Sequence, residues 1–184
     1  MTLNKSKAAL SLGFFLTLLL FLPAMAAAAQ QTVTLTPASS AQLLGGADFS
    51  LTATYDADSA AKSGIGLRIH YNSSVLTWKG FSDVLQLNRT TQSTSAQTDS
   101  QDRDNDPTTD KFVIIAWSDT NAAWPGSVPV TLFKINFSPT GKGTSPVNVT
   151  FSSTHAFQPA EAVSASVTVS SAPSQIQVSS AALT

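Results

Sequence analysis

One twelve-residue stretch of the sequence, DSQDRDNDPTTD at residues 99–110, holds five of the chain's eleven acidic residues. Carboxylates at alternating positions are oxygen ligands of the kind that Ca²⁺ prefers. Four aspartates lie at relative positions 1, 3, 5 and 9 of a calcium-loop pattern, and a backbone carbonyl lies at position 7. The candidate calcium ligands are Asp102, Asp104, Asp106 and Asp110, with the carbonyl of Thr108.

The stretch is not an EF-hand loop. Pro107 stands where that loop needs a glycine for its sharp turn, and Val113 stands where it needs a bidentate glutamate. Proline fixes φ near about −65° and has no N–H, so the standard loop path is blocked. Two interpretations stay open: a looser extracellular calcium loop of the form DxDxDxxxD, or an acidic loop that stays in water.

Residues for catalysis are scarce. The chain has two histidines, His70 and His155, and one glutamate, Glu161, and it contains no GxSxG, HExxH or phosphate-binding motif. Glycoside hydrolysis would need two carboxylates across a cleft, one of them with a raised pKa. The acidic residues are instead clustered in one polar segment, which favours an ion over acid-base chemistry. The sequence therefore predicts a protein that is not an enzyme.

Aromatic residues could bind a sugar, because an aromatic ring packs against the apolar face of a pyranose. Trp124, in the turn-like segment NAAWPGS, is predicted to be the most exposed tryptophan. Trp117 closes an apolar run and is expected to be at least half-buried. These two residues are the candidate carbohydrate-binding residues.

The elements that must position these residues are β-strands. DFSLTATYD, IGLRIHY, TLFKINF, VNVTF and SASVTVS alternate apolar and polar residues with a period of two. The run from Phe112 to Trp117 is apolar on both faces, which is typical of a central strand covered on both sides. No stretch after the N-terminus carries a helical stripe of three turns. The pattern predicts an all-β protein, an antiparallel β-sandwich of the jelly-roll type with about seven to nine strands.

The N-terminus has the features of a secretory signal peptide over residues 1–29. Two lysines precede a continuous apolar run, and small residues allow cleavage after Ala26 or Ala29. We expect a β-sandwich domain over residues 30–170 and an edge strand or flexible tail over 171–184. The predicted location is therefore secreted, in the periplasm, at the cell surface or in the medium, with no membrane span after cleavage.

The net charge limits the classes of partner, and the absence of cysteine limits the sources of stability. Loss of Lys5 and Lys7 with the signal peptide leaves eight basic residues against eleven acidic ones, a net charge of −3. No basic patch remains, which argues against nucleic acid and anionic membranes as partners. Without cysteine there are no disulfides, so stability must come from burial, from backbone ladders or from a bound ion.

Several landmarks occur together in a recognisable order. VTLTP is followed by LLGGADFSLTATYDA, then by HYNSSVL at 70–76, DKFVIIAWSD and LFKINFSPTGKGTSPVNVTF. Over about residues 32–170 this series resembles the cohesin family of secreted jelly-roll sandwiches, and it is also similar to the related carbohydrate-binding modules. The resemblance implies protein recognition, since cohesins bind dockerin modules in polysaccharide-degrading complexes on bacterial surfaces.

The expected function is an exported, non-catalytic recognition module of cohesin type. Its partner would be a dockerin-like protein or a polysaccharide, in a polysaccharide-degrading or adhesion context. Two alternatives stay open: a carbohydrate-binding module that acts alone through surface aromatics, and a structural envelope or matrix protein without a ligand.

Overall fold

A computed structural model describes residues 31–154 and 160–171 of the chain. In those residues the regular structure is β-strand apart from one 3-10 turn, Leu87–Arg89. In chain order the strands are β1 Gln31–Thr36, β2 Ser39–Leu43, β3 Phe49–Ala57, β4 Ala61–Lys62, β5 Gly66–Tyr71, β6 Leu76–Ser82, β7 Thr90–Gln92, β8 Gln97–Thr98, β9 Lys111–Trp117, β10 Trp124–Pro125, β11 Val130–Pro139, β12 Gly143–Ser153, β13 Ala160–Val163 and β14 Ala165–Ser170.

The strands form two main sheets with a shared core. Sheet A has the order β13-β1-β3-β11-β6, and sheet B has the order β2-β14-β12-β5-β9-β7, with β8 also paired to β9. A separate short pair joins β10 to β4. Most neighbours are antiparallel, but β1 pairs parallel with β13 and β2 pairs parallel with β14. The predicted antiparallel β-sandwich is confirmed, although the described residues hold fourteen strand segments, four of them only two or three residues long, where seven to nine strands were predicted.

Alternating side chains explain how the two sheets bury a common core. In β3, Leu51, Ala53 and Tyr55 are fully buried, while the threonines between them lie on the other face, half-buried. Burial of one large aliphatic side chain stabilises a fold by about 1.5–3 kcal/mol. The same alternation in β5 sends Leu67, Ile69 and Tyr71 into the core, so Arg68 and His70 lie on the outer face of sheet B.

The apolar run from Phe112 to Trp117 forms β9, an inner strand between β5 on one side and β7 and β8 on the other. Val113, Ile115 and Trp117 join the core. On the outer face Phe112 is also buried, whereas Ile114 and Ala116 are half-buried. The prediction that both faces of this strand are covered therefore holds fully only at Phe112.

Three of the predicted features lie wholly or largely outside the described residues. They are the signal peptide, His155 and all of the 171–184 segment beyond residue 171. Among the residues that are described, no helix has the length and apolar character needed to cross a membrane.

Candidate functional site

The acidic stretch, here called the acidic loop (residues 99–110), is folded onto the outer face of sheet B. Its base is closed where the Asp99 N–H donates to the Asp110 carbonyl at 2.9 Å, immediately before β9. Inside the loop, the Asn105 N–H donates to the Asp102 carbonyl at 3.1 Å, and a further turn follows at Asp106. The loop therefore has a defined backbone structure and is held to strands that lie far away in the sequence.

Between the acidic loop and sheet B, two side chains of the loop and one of β5 form a buried polar cluster. It consists of His70, Asp99 and Asp104 and is here called the His70 cluster. His70 Nδ1 lies 2.8 Å from Asp99 Oδ2 and 3.8 Å from Asp104 Oδ1. The side chains of His70 and Asp99 are 0% exposed, and that of Asp104 is 1% exposed. Two of the loop's carboxylates are thus buried against an imidazole, which corrects the interpretation of the whole stretch as a loop that stays in water.

Neighbouring side chains fix the orientation of this cluster. Asp104 Oδ2 accepts hydrogen bonds from Thr109 Oγ1 at 2.8 Å and from Asn148 Nδ2 at 2.9 Å. His70 Nε2 is hydrogen-bonded to Thr150 Oγ1 at 2.9 Å. Asp104 Oδ1 is buried and has no hydrogen-bond partner among the described residues. One carboxylate oxygen is therefore held in place while the other is directed towards the imidazole without a partner.

Asp110, one of the predicted calcium ligands, is engaged elsewhere. The Ser73 N–H donates to its Oδ1 and the Ser73 hydroxyl donates to its Oδ2, each at 2.6 Å. Partial burial alone would raise the pKa of Asp110, but the hydrogen bonds from Ser73 outweigh it and lower the pKa. Asp110 therefore connects the end of the acidic loop to the turn after β5.

Of the remaining predicted ligands, Asp106 is half-buried and the other two are exposed. Asp106 Oδ2 accepts from the same Asn148 amide at 3.0 Å, and the Thr108 hydroxyl, which donates to Asp106 Oδ1, is the main cause of a lowered pKa at Asp106. Asp102 is exposed, with φ at 46°, and Thr108 is exposed too. Asp104 and Asp106 thus share one amide, while Asp110 is bound to Ser73.

The described histidine and acidic side chains offer one group with potential ligand atoms all within 4.8 Å of one another, and it consists of His70, Asp99 and Asp104. Asp104 is the member that the loop spacing predicted. His70 and Asp99 were not predicted as ligands, because Asp99 precedes the regular spacing and His70 lies in a strand remote from the loop in sequence. The alternation in IGLRIHY did place His70 on the outer face, which was the one available signal.

The two candidate carbohydrate-binding tryptophans are core residues. Trp124 is 0% exposed and Trp117 is 4% exposed, and their ring centroids are 5.7 Å apart. Trp124 also packs against Tyr55, and Trp117 Nε1 donates to the Leu85 carbonyl at 2.7 Å. The predicted exposure of Trp124 is wrong, because the short strand β10 turns the ring into the sandwich instead of towards solvent. In this arrangement neither ring face is open to a sugar.

The side-chain hydrogen bonds from the acidic loop to β5 and β12 are made at His70 and Asn148, one outward position away from Arg68 and Thr150. Arg68 lies beside Ile114 on β9 and Thr150 on β12, and Ala116 lies one outward position further along β9. All four residues are half-buried and form the surface here called the open patch. Within the described residues Arg68 makes no ion pair.

Comparison with known proteins places the fold. The sequence matches no protein-family model and no curated protein at a significant level. Among solved structures, it is similar to the CaDoc0917-CaCohA2 complex, with a TM-score of 0.57 and 17% identity over 76% of this chain and 99% of that chain. CaCohA2 from Clostridium acetobutylicum in solution gives a TM-score of 0.52 at 17% identity, over 78% of this chain and 91% of that one.

A third similar structure is the third ScaC cohesin of Acetivibrio cellulolyticus in complex with the ScaB dockerin. Its TM-score is 0.54 at 10% identity, over 76% of this chain and 98% of that chain. The likeness extends over almost the whole of each solved module and most of the described sandwich. The protein is therefore a cohesin-like β-sandwich, as the sequence resemblance predicted.

Proposed function

We propose that this protein is an exported, non-catalytic recognition module that binds a dockerin-like protein partner. The observation that carries the proposal is the cohesin-like fold, which is shared over almost the full length of a cohesin that was solved in complex with a dockerin. The signal-peptide features of residues 1–29 support export. Export would place the module with secreted or surface-bound partners in a polysaccharide-degrading or adhesion context.

The open patch is the surface that we assign to the partner. Interface centres are enriched in arginine and apolar side chains and surrounded by polar ones. Arg68 supplies a guanidinium that no described carboxylate neutralises, and Ile114 and Ala116 supply apolar area beside it. Leu87, which is 60% exposed, lies in the 3-10 turn that leads into β7, the strand next to β9. A partner with an acidic residue beside an apolar ridge would fit this composition.

The buried tryptophans remove the main support for direct sugar binding, so a protein partner is the occupant that we propose. The surface opposite, on sheet A, differs in character. Its outward side chains are mainly threonine, serine and asparagine, and they bond to one another, as Ser50 Oγ does to Asn136 Oδ1 at 2.6 Å. Because these polar groups already bond to one another, this face has fewer free hydrogen-bonding groups and less apolar area for a partner than the open patch has.

The test is a binding measurement on the purified protein against a panel of dockerin modules, by calorimetry, with a glycan array in parallel. We expect one or more dockerins to bind, and Arg68→Glu to weaken that binding at least about tenfold by placing a carboxylate where a partner carboxylate should lie. Lys79→Glu is the matched control, since it makes the same charge change at an exposed position on sheet A.

Two results would overturn the proposal. One is glycan binding with no dockerin binding, which would make the protein a carbohydrate-binding module. The other is an equal loss of dockerin affinity in Arg68→Glu and Lys79→Glu, which would remove the open patch as the interface. Turnover of any glycan would contradict the non-catalytic assignment.

A further inference from the structure

Two features of the His70 cluster remain unexplained by partner binding. Asp104 Oδ1 is buried and without a hydrogen-bond partner, and two buried carboxylates meet around one imidazole nitrogen. A buried acceptor without a donor is costly, and native structures rarely keep one without a reason. The orphan oxygen is aimed at the same His70 Nδ1 that Asp99 contacts, so all three groups converge on one point.

We propose that His70 Nδ1, Asp99 and Asp104 bind one divalent transition-metal ion of the zinc class beneath the acidic loop. This site shares only Asp104 with the calcium ligands that the loop spacing predicted. An imidazole nitrogen with two carboxylate oxygens is a ligand set for Zn²⁺ and its neighbours, whereas Ca²⁺ takes oxygen ligands alone. A water molecule would supply the fourth ligand.

The distances fit such an ion after small side-chain shifts. Two ligand atoms bound at about 2.1 Å in tetrahedral geometry lie about 3.4 Å from each other. His70 Nδ1 is 2.8 Å from the Asp99 oxygen and 3.8 Å from the Asp104 oxygen, values on either side of that separation. An ion would open the first distance and shorten the second, and it would give Asp104 Oδ1 the partner that it lacks.

The surrounding hydrogen bonds are those that a metal site requires. With the metal on Nδ1, the proton of neutral His70 lies on Nε2 and donates to Thr150 Oγ1, which is 2.9 Å away. Metal-bound histidines generally make such a second hydrogen bond, which fixes the tautomer. Asn148 and Thr109 hold Asp104 Oδ2, so its other oxygen stays directed inward.

Charge balance also favours a divalent cation. With a neutral imidazole, one M²⁺ ion and two carboxylates sum to zero in a buried site. Among the described residues, the other cationic side chain paired with this cluster is Arg103, whose Nε lies 4.0 Å from Asp99 Oδ1 and whose side chain is 39% exposed. A half-exposed guanidinium at that distance compensates two buried carboxylates poorly, because water screens it.

The test needs no partner protein and is therefore independent of the proposed function. The purified protein, stripped with chelator, is melted alone and with Zn²⁺, Co²⁺ or Ca²⁺. We expect zinc at about 100 times its Kd to raise Tm by about 5–10 °C. Calorimetry should give one zinc per chain, and bound Co²⁺ should show the visible absorption of a low-coordinate site.

Asp104→Asn is the diagnostic variant, because it keeps the shape of the side chain but removes the ligand charge. We expect it to weaken zinc binding more than about 100-fold, and Thr150→Val to weaken it about 10–100-fold through loss of the second hydrogen bond. Asp110→Asn is the matched control, since it lies in the same loop but is bound to Ser73. Its zinc affinity should equal that of the wild type.

Two results would overturn the proposal. If neither Zn²⁺ nor Co²⁺ changes Tm or gives a spectrum, the cluster is a buried hydrogen-bonded group that holds no metal. If Ca²⁺ stabilises the protein, zinc does not, and Asp110→Asn abolishes the effect, the ion is bound by the loop carboxylates. The wild-type cobalt spectrum keeps the test decisive even if Asp104→Asn does not fold.

Discussion

Gly64 passes so close to β9 that its missing side chain is a structural requirement. A β-carbon there would lie 2.1 Å from the Trp117 carbonyl oxygen, and the φ of Gly64 is +116°. The approach comes two residues before β5, the strand that carries both Arg68 and His70. The position of the two candidate sites on sheet B therefore depends on one residue with no side chain.

We expect Gly64→Ala to destabilise the protein by more than Gly80→Ala does. Both glycines have positive φ, +116° and +124°, but a β-carbon on Gly80 would meet nothing within 4 Å. Backbone strain alone should therefore cost about 1–3 kcal/mol at Gly80. The clash with Trp117 should add at least about 1–3 kcal/mol at Gly64. Urea unfolding of both variants measures the difference, and equal values would show that the close approach is absent in solution.

Single residues also show where sequence reasoning succeeds and where it fails. The inward positions of β3 and β5 follow from alternation, because a strand has only two faces. Trp124 was misassigned because its neighbours, proline and glycine, are typical of an exposed turn. The burial of its ring depends on contacts with Tyr55 and Trp117, which lie far from it in sequence.

The acidic loop is the element whose role depends most on tertiary contacts. Its aspartate spacing predicted a set of calcium ligands, and that assignment stays a prediction. The sequence could not show that the loop folds over β5 and β12, since Asp99 and His70 are 29 positions apart and Asp104 and Asn148 are 44 apart. The spacing of residues within a loop predicts a ligand set only when all of the ligands come from that loop. Here His70 comes from a different strand.

We expect Asn148→Ala to release the acidic loop from sheet B. The Asn148 amide donates to both Asp104 and Asp106, and hydrogen bonds to charged groups contribute about 1.5–3 kcal/mol each. Loss of both should raise the population of the open loop at least about tenfold. Trypsin should then cut after Arg103 at least about tenfold faster, as followed by mass spectrometry in the presence of chelator.

Asn136→Ala is the control for that experiment. Asn136 lies on the outer face of sheet A and its amide also bonds to neighbouring side chains, in this case Ser50 and Ser82. It should leave the rate of cleavage after Arg103 unchanged. Equal acceleration in both variants would mean that trypsin reports global unfolding, and the loop would not be held by Asn148.

At the scale of the whole molecule, the two ends of the described chain close the sandwich together. β1 pairs parallel with β13 in sheet A, and β2 pairs parallel with β14 in sheet B. Two residues separate the two early strands, and one residue separates the two late ones. The alternation of apolar and polar residues predicted that most of these segments are strands. It could not predict the parallel pairings, because a period of two does not specify which strands are neighbours.

We expect Val167→Asp to be among the most destabilising single changes outside the two sites. Val167 is the central inward residue of β14, is 0% exposed and packs in the core shared by both sheets. An unpaired carboxylate there should cost more than about 4 kcal/mol, since burial of a charge without a partner is among the largest single penalties. Thr168→Asp, one position along and exposed, loses a cross-strand hydrogen bond to Thr144 and should cost less than about 2 kcal/mol. Urea unfolding measures both, and a small effect at Val167 would mean that β14, with β2 beyond it, is an accessory part of sheet B.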